Sequence, residues 1–219
     1  WVMSLLVIGS CTGSKNDDGC LAHSKLVEDD FDDPIRLKQR ESELRNWLKP
    51  AAEMYTGRQH TQMMDGVRII RSSFGPDACS VAIVSAGYGV ITEHRPIAPY
   101  DLTFQGMPKP LIRTRGDKLH IPDQLRAVIS EFSLAIFLLG DDYLRSARPP
   151  IVPMKGQRFI YFGSRRLREC PNGGVVVLPA AQPEATEFGD GVVSLKGRMF
   201  FLLASGLRRE PTLFNDLLR

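Results

Sequence analysis

Five apolar runs of strand length alternate along the chain with segments in which apolar residues recur every three or four positions. The runs cover residues 3–8, 78–85, 133–139, 158–162 and 174–178. Continuous apolar runs without alternation are typical of strands that are buried on both faces of a sheet. Each run is followed at once by glycine, alanine or proline, which marks the point where the predicted strand ends.

The intervening segments predict helices. Pro34 stands at a favoured helix start after two aspartates, and Pro50 is expected to end that helix. Further helices are predicted at 59–72, 122–129, 144–147 and 191–207. Alternating buried strands and helices indicate an α/β fold, with an open, mostly parallel sheet and helices on both faces. We expect a single domain over residues 1–219, and the fifth strand could be an antiparallel edge.

Three connecting segments show neither the continuous apolar runs of the predicted strands nor the spacing of the predicted helices. Residues 16–33 are polar and rich in acids, and we predict a mobile excursion in which a solvated loop is favoured over metal binding. Residues 86–101 predict a long polar loop on a buried strand, the place where α/β proteins carry their chemistry. Residues 108–118 read as a basic connection broken by prolines.

Composition sets the broad class. The 219 residues carry a net charge of +3 and a pI near 8.7, which permits a nucleic-acid partner without demanding one. No apolar run reaches the length of a membrane span, and no signal peptide is apparent. The four cysteines form no C-x-x-C pair, so we expect reduced thiols in a cytoplasmic enzyme or binding protein. The four histidines lack ligand spacing, and the loop after the first strand is not a P-loop, so neither a metal nor a cofactor is expected.

If the strands are parallel, their carboxyl ends bring several polar groups to one rim of the sheet. The rim would hold Ser10 with Cys11, residues 85–88, Asp141 with Asp142, and residues 164–166. Cys11 is either a nucleophile activated by a helix N-terminus or by Lys15, or a small residue that closes the first strand. Of the two aspartates, one could cap the following helix and the other could act as a base or stabilise positive charge.

Two further groups point to nucleic acid. Tyr55, Tyr88 and Tyr100 fall in predicted loops, where tyrosines can stack on a base or a sugar. Arginine binds phosphate through a planar fork, and several arginines could form a basic face over the rim. The candidates for this face are Arg113, Arg115, Arg145, Arg148, Arg165, Arg166 and Arg168.

Four ordered motifs carry a family resemblance: residues 11–15 (CTGSK), 50–55 (PAAEMY), 85–90 (SAGYGV) and 98–103 (APYDLT). Together they resemble an uncharacterised bacterial domain family with the patterns CSxxK, PAxxLY, SAxYGL and PYDxTL. That family is similar to the YaaA-like superfamily, which includes DNA-binding stress proteins, and to domains that accompany deazaguanine modification of nucleic acids. Residues 196–199 (KGRM) resemble a basic signature near the C-terminus of YaaA-like proteins, which adds Arg198 to the candidates. The family often has lysine where Gly87 stands here.

The sequence therefore predicts an enzyme that acts on a nucleobase in DNA, most concretely a glycosylase that hydrolyses an N-glycosidic bond. The target base would be extruded and held by stacking on Tyr88 and Tyr100, while Ser10 and Ser85 read its edge. Asp101 or Asp141 would position water or stabilise an oxocarbenium-like sugar. The alternatives are modification of a deazapurine base with Cys11 as nucleophile, and a nucleic-acid or nucleotide-binding module without chemistry. The remaining substrate-binding candidates are Lys15 and Tyr55.

Overall fold

The computed structural model describes residues 4–148, 152–163 and 174–217. The strands are β1 (Leu5–Ser10), β2 (Lys49–Pro50), β3 (Cys79–Ser85), β4 (Gly89–Thr92), β5 (Pro96–Ile97), β6 (Leu134–Phe137), β7 (Arg158–Phe162) and β8 (Val175–Leu178). The helices are α1 (Pro34–Glu43), α2 (Ala51–Met54), α3 (Arg58–Phe74), α4 (Lys109–Lys118), α5 (Ile121–Ile129), α6 (Asp141–Ala147), α7 (Gln182–Glu187), α8 (Leu195–Arg209) and α9 (Leu213–Leu217). Arg165, Arg166, Arg168 and Cys170 lie outside the described residues.

Six strands form one mostly parallel sheet in the order β4-β3-β1-β6-β7-β8. β1 pairs in parallel with β3 on one side and with β6 on the other, and β7 and β8 extend the sheet in parallel. The predicted α/β fold with a mostly parallel sheet is thus confirmed. The antiparallel edge strand is β4, which pairs with β3, rather than the fifth predicted run, because β8 is parallel to β7.

The strand order places helices on both faces of the sheet. A right-handed crossover from β1 to β3 puts α3 on one face, where it packs against β1, β3 and α8. The next crossover runs from β3 past β1 to β6, in the opposite direction, so α4 and α5 lie on the other face. There they pack against α6.

Close helix packing on the first face depends on two glycines. A Cβ at Gly197 in α8 would lie 2.3 Å from the carbonyl oxygen of Gln59 in α3. A Cβ at Gly66 in α3 would lie 2.8 Å from the ring of Phe200 in α8. The absence of side chains at both positions lets the two helices meet nearly backbone to backbone, which holds α8 against α3.

The structure corrects several helix assignments: α6 begins at Asp141 and α8 at Leu195, not at 144 and 191 as predicted. The first helix starts at Pro34, as predicted, with the Asp33 side chain accepting hydrogen bonds from the amides of Ile35 and Arg36, but it ends at Glu43 and not before Pro50. The basic connection at 108–118 is in fact helix α4. Its prolines stand at the helix start, where the missing amide hydrogen would have had no helical partner, so they do not break it.

The acidic excursion packs onto the molecule. Leu26 forms a parallel bridge with Tyr100, and both Leu26 and Phe31 are buried. Asp30 is also buried, and it accepts hydrogen bonds from the Val27 amide at 2.9 Å and the Arg36 side chain at 2.8 Å. The segment therefore packs over one part of the rim, whereas the sequence predicted a solvated loop. Within the described ranges, no helix is both long enough and apolar enough to cross a membrane.

Candidate functional site

The sheet has a topological switch point at the carboxyl ends of β1 and β6. The connections that leave these two neighbouring strands run to opposite faces, so the loops diverge and open a crevice, which is where open α/β sheets bind ligands. A cleft of about 650 Å³ lies there. It is lined by the loop after β1, the start of α6, the start of α3 and the segment that leads into α8. The cleft is therefore the candidate site.

Cys11 lines the cleft and shares a hydrogen-bonded group with Tyr143. The Tyr143 hydroxyl donates to the Cys11 carbonyl oxygen at 3.1 Å, and it also lies 3.1 Å from Cys11 Sγ and 2.9 Å from Thr103 Oγ1. A phenol has only one proton to give. With that proton on the carbonyl, the thiol and the threonine hydroxyl are the donors to the phenolic oxygen. The arrangement thus ties Cys11 to α6 through both its carbonyl oxygen and its sulfur.

Asp141 and Asp142 line the cleft beside Cys11. The N-cap residue of α6 is Gly140, and no side chain forms a capping hydrogen bond there. The hypothesis that one of the two aspartates caps this helix was therefore wrong. Asp141 is the first helical residue and is exposed to the cleft, so its carboxylate is available to a ligand.

The opposite wall carries Lys196, which lines the cleft at the start of α8. Burial lowers the pKa of the Lys196 ammonium, and the nearby Asp141 carboxylate partly opposes that shift. Of the predicted site residues, the structure thus brings Ser10, Cys11 and Asp141 into one cleft. Sequence reasoning missed Tyr143 as a partner of Cys11 and gave Lys196 no role.

Asp190 anchors the wall that carries Lys196. Its carboxylate accepts hydrogen bonds from the Ser194 hydroxyl at 2.6 Å and the Gln62 amide at 2.7 Å, and it lies 3.3 Å from Arg58 Nε. Burial alone would raise the pKa of Asp190, but these hydrogen bonds outweigh it and the pKa is lowered. The segment between Asp190 and α8 is therefore tied to α3 while Val193 stays exposed at the cleft mouth.

The predicted stacking tyrosines are buried instead. Tyr55 and Tyr100 are each 1% exposed, and their hydroxyls lie 2.8 Å apart. The Tyr100 hydroxyl also lies 2.8 Å from Ser85 Oγ, which accepts hydrogen bonds from the Gly87 and Tyr88 amides. We call Tyr55, Ser85, Tyr88 and Tyr100 the tyrosine cluster.

The cluster's groups are already used within the protein. The Tyr88 hydroxyl accepts the Ala98 amide at 3.1 Å, and Ser85 is fully buried. None of the four residues lines the cleft. The expectation that they stack on a base or read its edge was therefore wrong for this structure, because β4 folds back along β3 and turns the predicted polar loop into part of the core.

Phe31 completes the cover over this cluster. Its ring centroid lies 5.0 Å from that of Tyr88 and 5.5 Å from that of Tyr100. A Cβ at Gly87 would lie 2.6 Å from the Phe31 ring, so no larger residue fits there. The Phe31 ring thus fills the space that a side chain at position 87 would need. This is the position at which the family that the sequence resembles often has lysine.

Lys15 and Asp101 lie beside the cluster rather than in the cleft. Lys15 Nζ sits 4.2 Å from the centroid of the Tyr100 ring, a cation–π contact. Burial lowers the pKa of Lys15, while Cys11 and Asp101 act in the opposite direction. Asp101 is exposed, and its amide donates to the Leu26 carbonyl. Asp141 is therefore the carboxylate that the geometry favours.

Of the arginines predicted to form a basic face, the structure describes Arg113, Arg115, Arg145 and Arg148, and it gives Arg115 a different role. Arg115 is buried, and it donates to the Ala86 carbonyl and pairs with Glu28 at 2.9 Å. Arg113 is exposed on α4, and Arg198 lies over the Phe201 ring at 5.4 Å. Arg115 is thus a structural residue that joins α4 to the turn after β3, contrary to its predicted role in binding phosphate.

The described residues contain no group of three or more His, Cys, Asp or Glu side chains that could hold a metal ion. The side chains that line the cleft include two carboxylates, one lysine, one arginine, hydroxyls and a thiol, a set that suits a polar organic ligand. Compared with models of protein families and with curated proteins, the sequence gave no match.

Proposed function

We propose that this protein is an enzyme that cleaves the N-glycosidic bond of a nucleobase, with nucleic acid as its substrate. The single observation that carries the proposal is the Asp141 carboxylate, which forms no capping hydrogen bond with α6 and lines a cleft at the switch point of the sheet. Cleavage of a glycosidic bond places positive charge on the sugar, and a carboxylate nearby in a cleft stabilises that charge. The resemblance to YaaA-like proteins supports the choice of nucleic acid.

The cleft has groups for each part of a nucleoside. A volume of about 650 Å³ lies within the range of small-molecule sites and admits one extruded base with its sugar. For the base edge, Ser10 offers its hydroxyl and Gln59 offers its side-chain oxygen, since the Gln59 side-chain nitrogen already donates to the Leu138 carbonyl at 3.0 Å. Val193 at the mouth offers an apolar surface against which a base or sugar can pack, and Arg58 is exposed beside it for a flanking phosphate.

Asp141→Asn tests the proposal most directly. The change keeps the shape but removes the charge, so base release should fall by roughly 10²-fold or more. Released bases are measured by mass spectrometry after incubation with modified and unmodified DNA, and abasic sites are measured by alkaline cleavage. Asp123→Asn, at an exposed position on α5, is the matched control and should keep full activity.

Asp101→Asn tests which of the two predicted carboxylates, Asp101 or Asp141, takes part in the reaction. Since Asp101 does not line the cleft, its replacement should affect base release far less than Asp141→Asn. Equal activity in all three variants would contradict the proposal. Affinity for DNA should also fall as salt rises, since phosphate contacts release counterions. Binding that ignores salt would point to a small-molecule substrate.

Base modification through Cys11 is the second candidate, because Cys11 also lines the cleft. A modifying enzyme would change the mass of a base and leave the strand without abasic sites. Cys11→Ser would then remove turnover, whereas it should be nearly silent if Cys11 is the hydrogen-bonded thiol described above. Loss of activity in Cys11→Ser with activity retained in Asp141→Asn would favour this candidate.

A further inference from the structure

Lys196 lies in the cleft without an ion-pair or hydrogen-bond partner in the described part of the chain. Lys25, Lys49 and Lys118 each form an ion pair with an aspartate. In the ranges 4–148, 152–163 and 174–217, no hydrogen bond or ion pair engages the Lys196 ammonium. It nevertheless lines the cleft and is half-buried. An unpaired, partly desolvated amine is costly unless a ligand uses it.

The fold holds the stem of Lys196 from both sides. The neighbouring Gly197 contacts the backbone of Gln59, which fixes the start of α8 against α3. On the other side, a Cβ at Gly163 would lie 3.1 Å from Lys196 Cε, so the glycine after β7 leaves room for the stem. The amine is thus presented to the cleft by rigid elements rather than by a loose surface chain.

The surroundings favour chemistry over simple charge pairing. Burial lowers the pKa of Lys196, so more of the neutral amine is present at a given pH than in an exposed lysine. The neutral amine is the nucleophilic form, and desolvation is a known means of activating lysine. The Asp141 carboxylate lines the same cleft and interacts electrostatically with the amine. An amine and a carboxylate thus share the cleft with the proposed sugar site.

We infer that Lys196 Nζ is the nucleophile that displaces the base, so that base release proceeds through a covalent enzyme–sugar intermediate. This inference rests on the proposed function. The amine lone pair forms a bond to the anomeric carbon while the bond from that carbon to the base nitrogen breaks. The base leaves with the bonding electrons, and it takes up the proton that the attacking nitrogen loses through Asp141.

The remaining steps return the enzyme without any oxidant or reductant. The bond between the anomeric carbon and the ring oxygen opens, the second amine proton moves to that oxygen, and a carbon–nitrogen double bond forms to Lys196. Water then adds to this imine, which releases the free lysine and the sugar aldehyde. The net reaction is hydrolysis of the N-glycosidic bond, with the lysine as an intermediate acceptor of the sugar.

Reductive trapping tests the inference without knowledge of the target base. An oligonucleotide with one abasic site already carries the aldehyde, so the full chain is incubated with it in the presence of sodium borohydride. We expect a covalent protein–DNA species that peptide mass spectrometry locates at Lys196. In Lys196→Arg, which keeps the positive charge, the trapped species should fall at least tenfold, whereas Lys155→Arg at an exposed position should trap normally.

Each result bears on the inference separately from the proposed function. No trapped species in the unaltered protein, or a species located at another residue, overturns the role of Lys196, and neither result depends on how a variant folds. Base release by Lys196→Arg at the unaltered rate also overturns it while leaving N-glycosidic cleavage intact. Trapping at Lys196 without base release from any DNA tested supports the nucleophile and contradicts the proposed function.

Discussion

The carboxyl ends of β1, β3 and β6 lie on the same rim of the sheet. The rim is closed at the end of β3 and open at the ends of β1 and β6. At the end of β3, the chain turns directly into β4, and Phe31 covers the tyrosine cluster from above. At the ends of β1 and β6, the loops diverge and leave the cleft. Polar residues at a strand end thus become a site only where no other segment folds back over them.

Replacement of Phe31 by alanine tests the closed end most severely. The ring is buried against Tyr88 and Tyr100, so its loss should lower the free energy of unfolding by about 3 kcal/mol or more. Chemical denaturation measures this change. Ile35→Ala is the matched control, because Ile35 is 80% exposed and its loss should cost no more than about 0.5 kcal/mol.

The same variant separates the two ends of the rim. Phe31 does not line the cleft, so base release per folded molecule should be unchanged in Phe31→Ala. If Phe31→Ala were as stable as the unaltered protein but released no base, the closed end would take part in the reaction. The distinction between the two ends would then fail.

Tyr100→Phe should have the next largest effect. It removes the hydroxyl that lies 2.8 Å from both the Tyr55 hydroxyl and Ser85 Oγ, so each of those buried groups loses one hydrogen bond. Destabilisation of about 1–3 kcal/mol is expected from denaturant unfolding. The rate of base release should change little, whereas a loss of rate at unaltered stability would return Tyr100 to the substrate site.

How far the sequence predicts this molecule differs between the sheet and its rim. Uninterrupted apolar runs predict the strands well, because burial on both faces selects for them, and parallel pairing then places Ser10, Cys11 and Asp141 on one rim. The tyrosines were misassigned because hydrophobic periodicity does not reveal that Val90 and Ile91 form an antiparallel strand.

Long-range contacts explain the other errors. Phe31 covers Gly87 from more than fifty residues away, and Arg115 pairs with Glu28, so no local pattern reports either contact. Lys196 could have been found by one signal only, its place in the basic motif at 196–199. The position of its amine in the cleft depends on packing between α3 and α8, and the spacing of residues along the sequence does not reveal that packing.

The smallest predicted effect is a loss of stability in mild acid at the closed end. His60 is buried beside Tyr55, and with its Nε2 donating to the Ala52 carbonyl at 3.0 Å, its Nδ1 lacks a partner. Burial lowers the pKa of His60 below that of the unfolded chain, about 6.5. The unfolded state therefore binds more protons as the pH falls below that value, and the free energy of unfolding decreases.

Denaturant unfolding between pH 7 and pH 5 measures this contribution, above the range in which most carboxylates titrate. His60→Gln keeps a side-chain amide for the Ala52 carbonyl but cannot be protonated, so its stability should vary less over the same range. Base release per folded molecule should not differ between the two proteins because His60 lies outside the cleft. An identical pH profile for both proteins would assign the acid sensitivity to other groups.

The glycine contact between α3 and α8 also has a kinetic consequence. The first wall of the cleft is made early in the chain, by the loop after β1 and by α3, whereas Gly197 and Lys196 follow more than 120 residues later. Contacts between such distant segments are slow to form, since a long stretch of chain must first be ordered. During synthesis the amino-terminal half therefore emerges without a complete pocket. The complete cleft should form only after α8 has docked, as one of the last events of folding.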